Sequence, residues 1–205
     1  MVPHPFSSRE ITIFNGVLQL AATGADLGQL KVQDIADAAG MGKGTLYEYF
    51  RSKEEIFLGT LFFCVEQELA KLEALMDSCP DFETLSQRSL DYVAELIATR
   101  ASSYQMVALT LRPSEHIAQC GPSMVGYGKR LETLMRRSLS LGQQSGVIRP
   151  DCEFAYFCYT IVSVYLTYAN ALFHKKGSLH PNFSFFPEET VLRRYTQDLL
   201  RGALN

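Results

Sequence analysis

A chain of 205 residues that is 47% hydrophobic and 20% charged is long enough to enclose a full core, and its composition excludes general disorder. Its five cysteines (Cys64, Cys79, Cys120, Cys152 and Cys158) are odd in number, scattered and never spaced as CxxC, which argues against a disulfide framework or zinc site and fits a reducing cytoplasm. The net charge of −3 speaks against a nucleic-acid binder, because such proteins usually carry a basic face.

Apolar residues recur at helical rather than alternating spacing along the whole chain, with no internal repeat, so an all-α protein of about nine helices is expected. The opening Met1-Val2-Pro3-His4-Pro5 has no basic segment leading into an apolar one, so no signal peptide is expected. Ser7-Ser8-Arg9-Glu10 reads as a capping box, with Ile11, Phe14 and Leu18 following at helical spacing and Gly24 ending the helix after Thr23. A second box, Ser52-Lys53-Glu54-Glu55, opens a longer helix with the stripe Leu58, Phe62, Val65, Leu69, Leu72 and Met76, stopped by Cys79-Pro80. Asp81 can cap the next helix, whose wide apolar face includes Leu85, Leu90, Tyr92, Val93, Leu96 and Ile97.

A short apolar run from Met106 to Leu111 precedes Pro113. From Pro122 to about Ser145, Leu131, Leu134 and Leu141 share one side of a helix that Gly146 terminates, and Lys129, Arg130, Arg136 and Arg137 read as a solvated face. Asp151 is expected to cap the following helix, which carries no charge from Phe154 to Phe173 and so should be buried on all sides. Its length reaches that of a membrane span, yet Thr160, Ser163, Thr167, Asn170 and four tyrosines favour a helix with one face on its own domain and the other on a second subunit. Pro187, Glu188 and Glu189 mark the first turn of the last helix, which places Leu192, Tyr195 and Leu199 on one face.

The segment from Val32 to Phe50 reads as two short helices crossing at a tight turn. Ile35, Ala39, Met41 and Leu46 supply the apolar contacts, Ala36 is small where the helices pass, and Gly40 stands where the chain must reverse. The first 56 residues hold five cations, Arg9, Lys31, Lys43, Arg51 and Lys53, against seven carboxylates, so any positive patch is confined to Lys43–Lys53, where only Glu48 opposes.

The combination Ile35-Ala36, Ala39-Gly40-Met41-Gly42-Lys43-Gly44-Thr45-Leu46-Tyr47-Glu48-Tyr49-Phe50 and Ser52-Lys53-Glu54-Glu55 resembles the N-terminal signature of the TetR family of bacterial transcriptional regulators. Two departures weaken helix caps by about 0.5–1 kcal/mol each: Lys31 stands where the family usually has threonine or serine, and Gly42 where it usually has serine. The resemblance implies a three-helix helix-turn-helix domain over residues 1–56 and a helical ligand-binding and dimerisation domain over 57–205. It implies a homodimeric repressor on a palindromic double-stranded DNA operator, released by a small apolar or aromatic effector, in the cytoplasm and not in a membrane. Catalysis, a cofactor and a metal are not expected; the alternatives are a helical ligand-binding protein or enzyme that ignores DNA, or a purely structural helical dimer.

The same resemblance places Gly42, Lys43, Gly44, Thr45, Tyr47, Glu48, Tyr49 and Lys53 at the DNA. Lys43 would meet a base edge or phosphate, Thr45 and Tyr47 phosphates, and Tyr49 the edge of the groove. Lys53 would hold a phosphate at a helix start, and Glu48 is either solvated or accepts from a cytosine amino group. For the ligand chamber the large apolar and amphipathic residues Phe62, Phe63, Tyr92, Met106, Leu109, Tyr127, Leu131, Phe157, Tyr165 and Tyr168 are the candidates, and the last two long helices of each subunit would make a four-helix dimer interface. Competing motifs fail: Gly44 follows Lys43 where a phosphate loop needs Ser or Thr, Thr45 stands where a dinucleotide fingerprint needs its third glycine, and His4, His116, His174 and His180 are far apart in sequence.

Overall fold

A computed structural model of the chain describes residues 6–109, 121–177 and 187–205. These described residues form α1 (Ser8–Ala22), α2 (Val32–Ala38), α3 (Lys43–Tyr49), α4 (Lys53–Ser78), α5 (Phe82–Thr99), α6 (Ala101–Leu109), α7 (Gly121–Gln144), α8 (Phe154–Gly177) and α9 (Glu189–Leu204), and no strand, so the all-α expectation holds. Leu111, Pro113, Cys120, His4, His116 and His180 lie outside the described residues, as do the side chains of Leu109 and Pro122. One compact unit comprises residues 1–70 with 101–128 and the other residues 71–100 with 129–205, the division falling inside α4.

In the first unit the expected capping box is present: the Ser7 hydroxyl accepts from Glu10 N–H at 3.3 Å and the Glu10 carboxylate from Ser7 N–H at 2.8 Å. Ile13, Phe14 and Val17 of α1 are fully buried against Ile35 and Ala36 of α2, Leu46 of α3, Phe50 and Ile56. Burying side chains of this size contributes about 1.5–3 kcal/mol each, which is what holds two seven-residue helices too short to stand alone. The backbones of α1 and α2 come close at Gly16, where a Cβ would stand 3.0 Å from the Ala39 nitrogen.

The turn between α2 and α3 is a Schellman arrangement, with Met41 N–H donating to Ala36 O at 2.9 Å and Gly40 N–H to Asp37 O at 3.1 Å. Gly40 takes φ 64, the left-handed region, as the sequence implies. The cap missing at Lys31 is replaced from the other direction, because the Asp34 carboxylate accepts from Lys31 N–H at 2.7 Å. At the start of α4 the Ser52 hydroxyl accepts from Glu55 N–H at 3.2 Å, while the Glu55 carboxylate takes the Arg51 N–H rather than that of Ser52. Helix α4 buries a different set from its expected stripe: Leu69 and Met76 are inside and Leu58, Phe62, Val65 and Leu72 are half-buried, whereas Ile56, Thr60, Leu61, Cys64 and Glu68 are buried without belonging to it.

In the second unit the Asp81 carboxylate caps α5 by accepting from Thr84 N–H at 2.7 Å, as expected. Asp151 does not cap α8: the helix starts at Phe154, Glu153 O accepts from Phe157 N–H, and exposed Asp151 pairs with Arg149 instead. A turn from Arg149 to Cys152, closed by Cys152 N–H donating to Arg149 O at 3.1 Å, places Pro150 and Asp151 at its centre and delays the helix by those residues. The solvated face assigned to α7 holds for Lys129, Arg136 and Arg137, which are exposed, and is corrected at Arg130, which is half-buried and makes a two-pronged bond to Glu73 at 2.7 Å; Arg137 also reaches Asp77 at 2.7 Å, so both arginines tie α7 to the end of α4. Arg136 bonds Glu132 and lies 4.0 Å from the ring centroid of Phe154.

Helix α8 is not covered on all sides by its own chain. Tyr156, Tyr159 and Val162 are 41%, 75% and 47% exposed. No helix of the described residues is long and apolar enough to cross a membrane, which removes the spanning reading of this segment. The face expected on α9 divides in two: Leu192, Thr196, Leu200 and Leu204 point inward, whereas Tyr195 and Leu199 are exposed.

Nothing lies within 4 Å of a Cβ added at Gly40, so a substitution there tests the backbone conformation without a clash. Gly40→Val is expected to lower unfolding stability by about 1–2 kcal/mol in chemical denaturation, with the helical content of the folded state unchanged.

Candidate functional site

Within the helix-turn-helix, α3 turns Leu46 and Phe50 into the core and leaves its other side uncovered. Gly42, Lys43, Gly44, Tyr47, Glu48 and Tyr49 are exposed, Tyr47 and Tyr49 to 50% and 37%, and Thr45 is half-buried. Seven of the eight residues singled out for DNA therefore lie on or immediately before α3. The Lys43 ammonium stands 6.0 Å from the centroid of the Tyr47 ring, which steadies a long cation beside a hydroxyl donor. The eighth, Lys53, is anchored differently: its ammonium donates to Gly28 O at 2.9 Å, pinning the loop before α2, and lies 5.8 Å from the Phe57 ring centroid.

The acidic balance of this region has a local explanation. Glu10, Asp26, Asp34 and Glu55 each accept a backbone N–H, from Ser7, Gly28, Lys31 and Arg51 respectively. Their charge sits on helix starts and turns, where exposed amides carry partial positive charge, and not on the outer side of α3. Only the reciprocal half of this pattern at Ser7-Glu10 and Ser52-Glu55 is legible as sequence motifs; Asp26 and Asp34 act without one.

The second unit contains a cavity of about 280 Å³. Leu72, Leu75 and Met76 of α4 and Phe82, Leu85 and Val93 of α5 form two walls. Leu131, Leu134 and Met135 of α7 and Phe157, Ile161 and Val162 of α8 form the others. Its polar members are Ser86, Ser89, Tyr92, Ser138 and Tyr165. Tyr165 donates its hydroxyl to Ser86 O at 3.2 Å and lies 3.3 Å from the Ser86 hydroxyl. Burial pushes the Tyr165 phenol above its ordinary value, with the hydrogen bonds from Ser86 and Ser89 acting in the opposite sense, so it stays protonated at neutral pH.

Four of the residues proposed for a ligand, Tyr92, Leu131, Phe157 and Tyr165, line this cavity. The structure takes most of the others elsewhere. Phe63 packs with Phe6 and Phe14, Met106 is buried with Leu61 and Cys64, and Phe62 stacks on Tyr127 at 6.0 Å, all in the core of the first unit. Tyr168 is 2% exposed and outside the cavity lining, its phenol raised to about 12 chiefly by burial. Size and aromaticity selected these residues, and both properties serve a core as well as a pocket. Ser86, Ser89 and Ser138 were missed because a serine on a helix carries no periodic signal; the one available clue was their place on the otherwise apolar faces of α5 and α7.

The cavity walls from α4 and α7 are held by the Arg130–Glu73 pair, with each side chain about one-third exposed. The hydrogen bonds from Arg130 hold the Glu73 carboxyl below its ordinary 4.5 against the opposing effect of burial. A carboxylate lowered in the folded state contributes stability that is complete above its ordinary value and is lost as the pH falls through the lowered one. Arg130→Met is expected to cost about 0.5–1 kcal/mol at neutral pH after solvent screening, and to make the melting temperature fall less steeply below pH 4.5 than in the wild type.

With these geometries in place, residues 25–60 match the bacterial regulatory proteins of the tetR family. A TetR family transcription regulator from Marinobacter aquaeolei VT8 is similar in fold, at 18% identity and a TM-score of 0.67, over 96% of this chain and 95% of that one. The fatty acid degradation regulator FadR from Bacillus halodurans is similar at 20% identity and a TM-score of 0.71, over 97% of each chain. The FadR of Bacillus subtilis, solved in complex with stearoyl-CoA, is similar at 18% identity and a TM-score of 0.63, over 95% of this chain and 97% of that one. No curated protein matches the sequence. At these identities the likeness is one of fold.

Proposed function

We propose that the chain is a DNA-binding transcriptional regulator of the TetR type, a cytoplasmic homodimeric repressor that leaves a palindromic operator when a small apolar ligand fills the cavity, a reading supported by the match of residues 25–60 and by the shared fold. The observation that carries this reading is the contrast within α3: its apolar side is sealed into the core while Lys43, Tyr47 and Tyr49 stand uncovered on the other. That is the arrangement a helix needs to enter a major groove. Lys43 supplies a base-edge or phosphate contact, Thr45 and Tyr47 hydrogen-bond phosphates, and the bare backbone at Gly42 and Gly44 allows close approach. Tyr49 rests at the groove edge and Glu48 is the residue that disfavours phosphate nearby. Lys53, already bonded to Gly28 O, acts by fixing the loop and presenting its remaining donors to a phosphate.

A second copy of the chain covers the exposed apolar face of α8 and α9, made of Tyr156, Tyr159, Val162, Tyr195 and Leu199. Five large apolar or amphipathic side chains on neighbouring helices are more than a lone chain exposes without use, and a two-fold pairing of this face closes on itself. Two copies then present two α3 helices, which must lie about 34 Å apart to read successive major grooves. Helix α4 is continuous from Lys53 at the reading head to Leu72, Leu75 and Met76 in the cavity wall, so a ligand that shifts this wall tilts the head. The stearoyl-CoA bound to Bacillus subtilis FadR supports reading a cavity in this fold as a ligand site. Release requires the ligand to favour the wrongly spaced state by about 1–3 kcal/mol.

Selection of bound fragments from a random DNA pool supplies the operator, and a near-palindrome is the expected outcome. On that operator Lys43→Ala is expected to weaken binding by about 1–3 kcal/mol without altering the melting curve. Unchanged affinity removes Lys43 from the interface. Tyr159→Glu combined with Leu199→Glu is expected to give a monomer in sedimentation equilibrium, with loss of operator binding at concentrations where the wild type is saturated. A dimer that survives both charges places the pairing surface elsewhere.

A further inference from the structure

The cavity of the second unit carries a distinction that its apolar character alone does not express. Among the described residues its lining contains no Asp, Glu, Lys, Arg or His, and its polar side chains are three serines and two phenols, Tyr92 and Tyr165. Its polar atoms are also unevenly placed. Ser86 and Ser89 are one turn apart on α5 and face Tyr165 of α8, whereas the Ser138 hydroxyl is used up locally, donating to Leu134 O at 2.9 Å. The rest of the wall is hydrocarbon and thioether.

The arginines of the surrounding helices are directed to partners outside the lining. Arg88 donates to Ser78, Arg130 to Glu73, Arg137 to Asp77 and Arg193 to Asp91. Phe82 and Ser86 also border a separate, more polar cleft of about 300 Å³, and Arg201 in that cleft is paired with Glu83 at 2.9 Å. Among the described residues no cation of α4, α5, α7 or α8 lines the inner cavity, and the charge of Arg193, felt at Tyr165, is paired with Asp91. A carboxylate or ammonium placed there would exchange water for an apolar wall that offers it no ion-pair partner, which disfavours the charged form.

Resting on the regulator reading above, we propose that the effector is an uncharged amphipathic molecule: an apolar body filling the cavity and a single hydroxyl or carbonyl end anchored at Ser86, Ser89 and Tyr165. The two Tyr165 contacts with Ser86 are long, at 3.2 and 3.3 Å, so a ligand oxygen can take their place without leaving a strong bond unmade. Acids enter only in protonated form.

The test compares 1-dodecanol with dodecanoate on the full-length protein, by calorimetric titration and by melting. Dodecanol is expected to bind with the same affinity from about pH 8 to about pH 6, whereas the apparent affinity of dodecanoate rises about tenfold for each unit of pH lowered, because only the neutral acid is taken. At neutral pH the alcohol is then favoured on the order of a hundredfold. The double variant Ser86→Ala, Tyr165→Phe is expected to lose roughly three- to tenfold in dodecanol affinity while binding 1-chlorododecane, which lacks the hydroxyl, as the wild type does. Equal affinity for the alcohol and the carboxylate at neutral pH overturns the proposal, as does an unchanged dodecanol affinity in the double variant or binding of neither probe. Operator affinity is measured in parallel: dodecanol that binds and leaves it unchanged overturns induction but not neutrality, and the reverse failure leaves induction standing.

Discussion

The reading head depends on how closely α1 can approach the end of α2. Gly16 has no side chain, a Cβ there would lie 3.0 Å from the Ala39 nitrogen, and this lets Ile13, Phe14 and Val17 reach Ile35, Ala36 and Leu46. Neither α2 nor α3, at seven residues each, carries a side-chain cap hydrogen bond from its first flanking residue, so their geometry is set by this packing and by the turn at Gly40. What the core takes from α3 is Leu46, with Phe50 beyond it, and what remains is the polar side on which Lys43 and Tyr47 stand. The exposure of the residues proposed for DNA is thus a consequence of the core and not a separate feature.

The overall negative charge of the chain is compatible with a polyanion partner for a related reason. Four carboxylates in the first unit, Glu10, Asp26, Asp34 and Glu55, stand at helix starts and a turn and accept backbone N–H groups that would otherwise lack a partner. They stabilise the scaffold from positions that leave the outer side of α3 to Lys43, with Glu48 as its one acidic neighbour on that helix. A small basic surface of this kind supplies less long-range attraction than a broad basic face, so selectivity rests more heavily on close contacts of α3 with bases and backbone.

Much of the first unit was legible in the sequence because its signals are local. A capping box, a glycine at a reversal and an apolar spacing of three to four residues each constrain neighbouring backbone, and Ser7-Glu10, Gly40 and the pair Ile35 and Leu46 all do what their spacing implies. The second unit was less legible, because the same signals do not say which neighbour a face meets. Arg130 looks like part of a solvated face until Glu73 of α4 is brought beside it, and Leu192 and Tyr195 share a face by spacing but are divided between inside and outside. Of the aromatic candidates for a ligand, Phe63 and Phe62 went to the first core, since a large ring fills any interior equally well.

Val162 ties the remaining pieces of the regulatory mechanism together. It lines the cavity and is also 47% exposed on the face of α8 proposed for the second subunit. If the proposed pairing holds, a ligand that presses on this side chain changes both the shape of the pocket and the surface offered to the partner. The wall opposite, from Leu72 to Met76, is the far end of the helix that begins at Lys53. On the proposed mechanism, a ligand in a cavity of about 280 Å³ would touch the two elements that would set the spacing of the reading heads, α8 as the pairing helix and α4 as the connecting helix. Because no charge lines that space, the coupling must be transmitted by packing, through a change in which side chains fit together, and its strength will follow the volume and shape of the ligand more closely than its polarity.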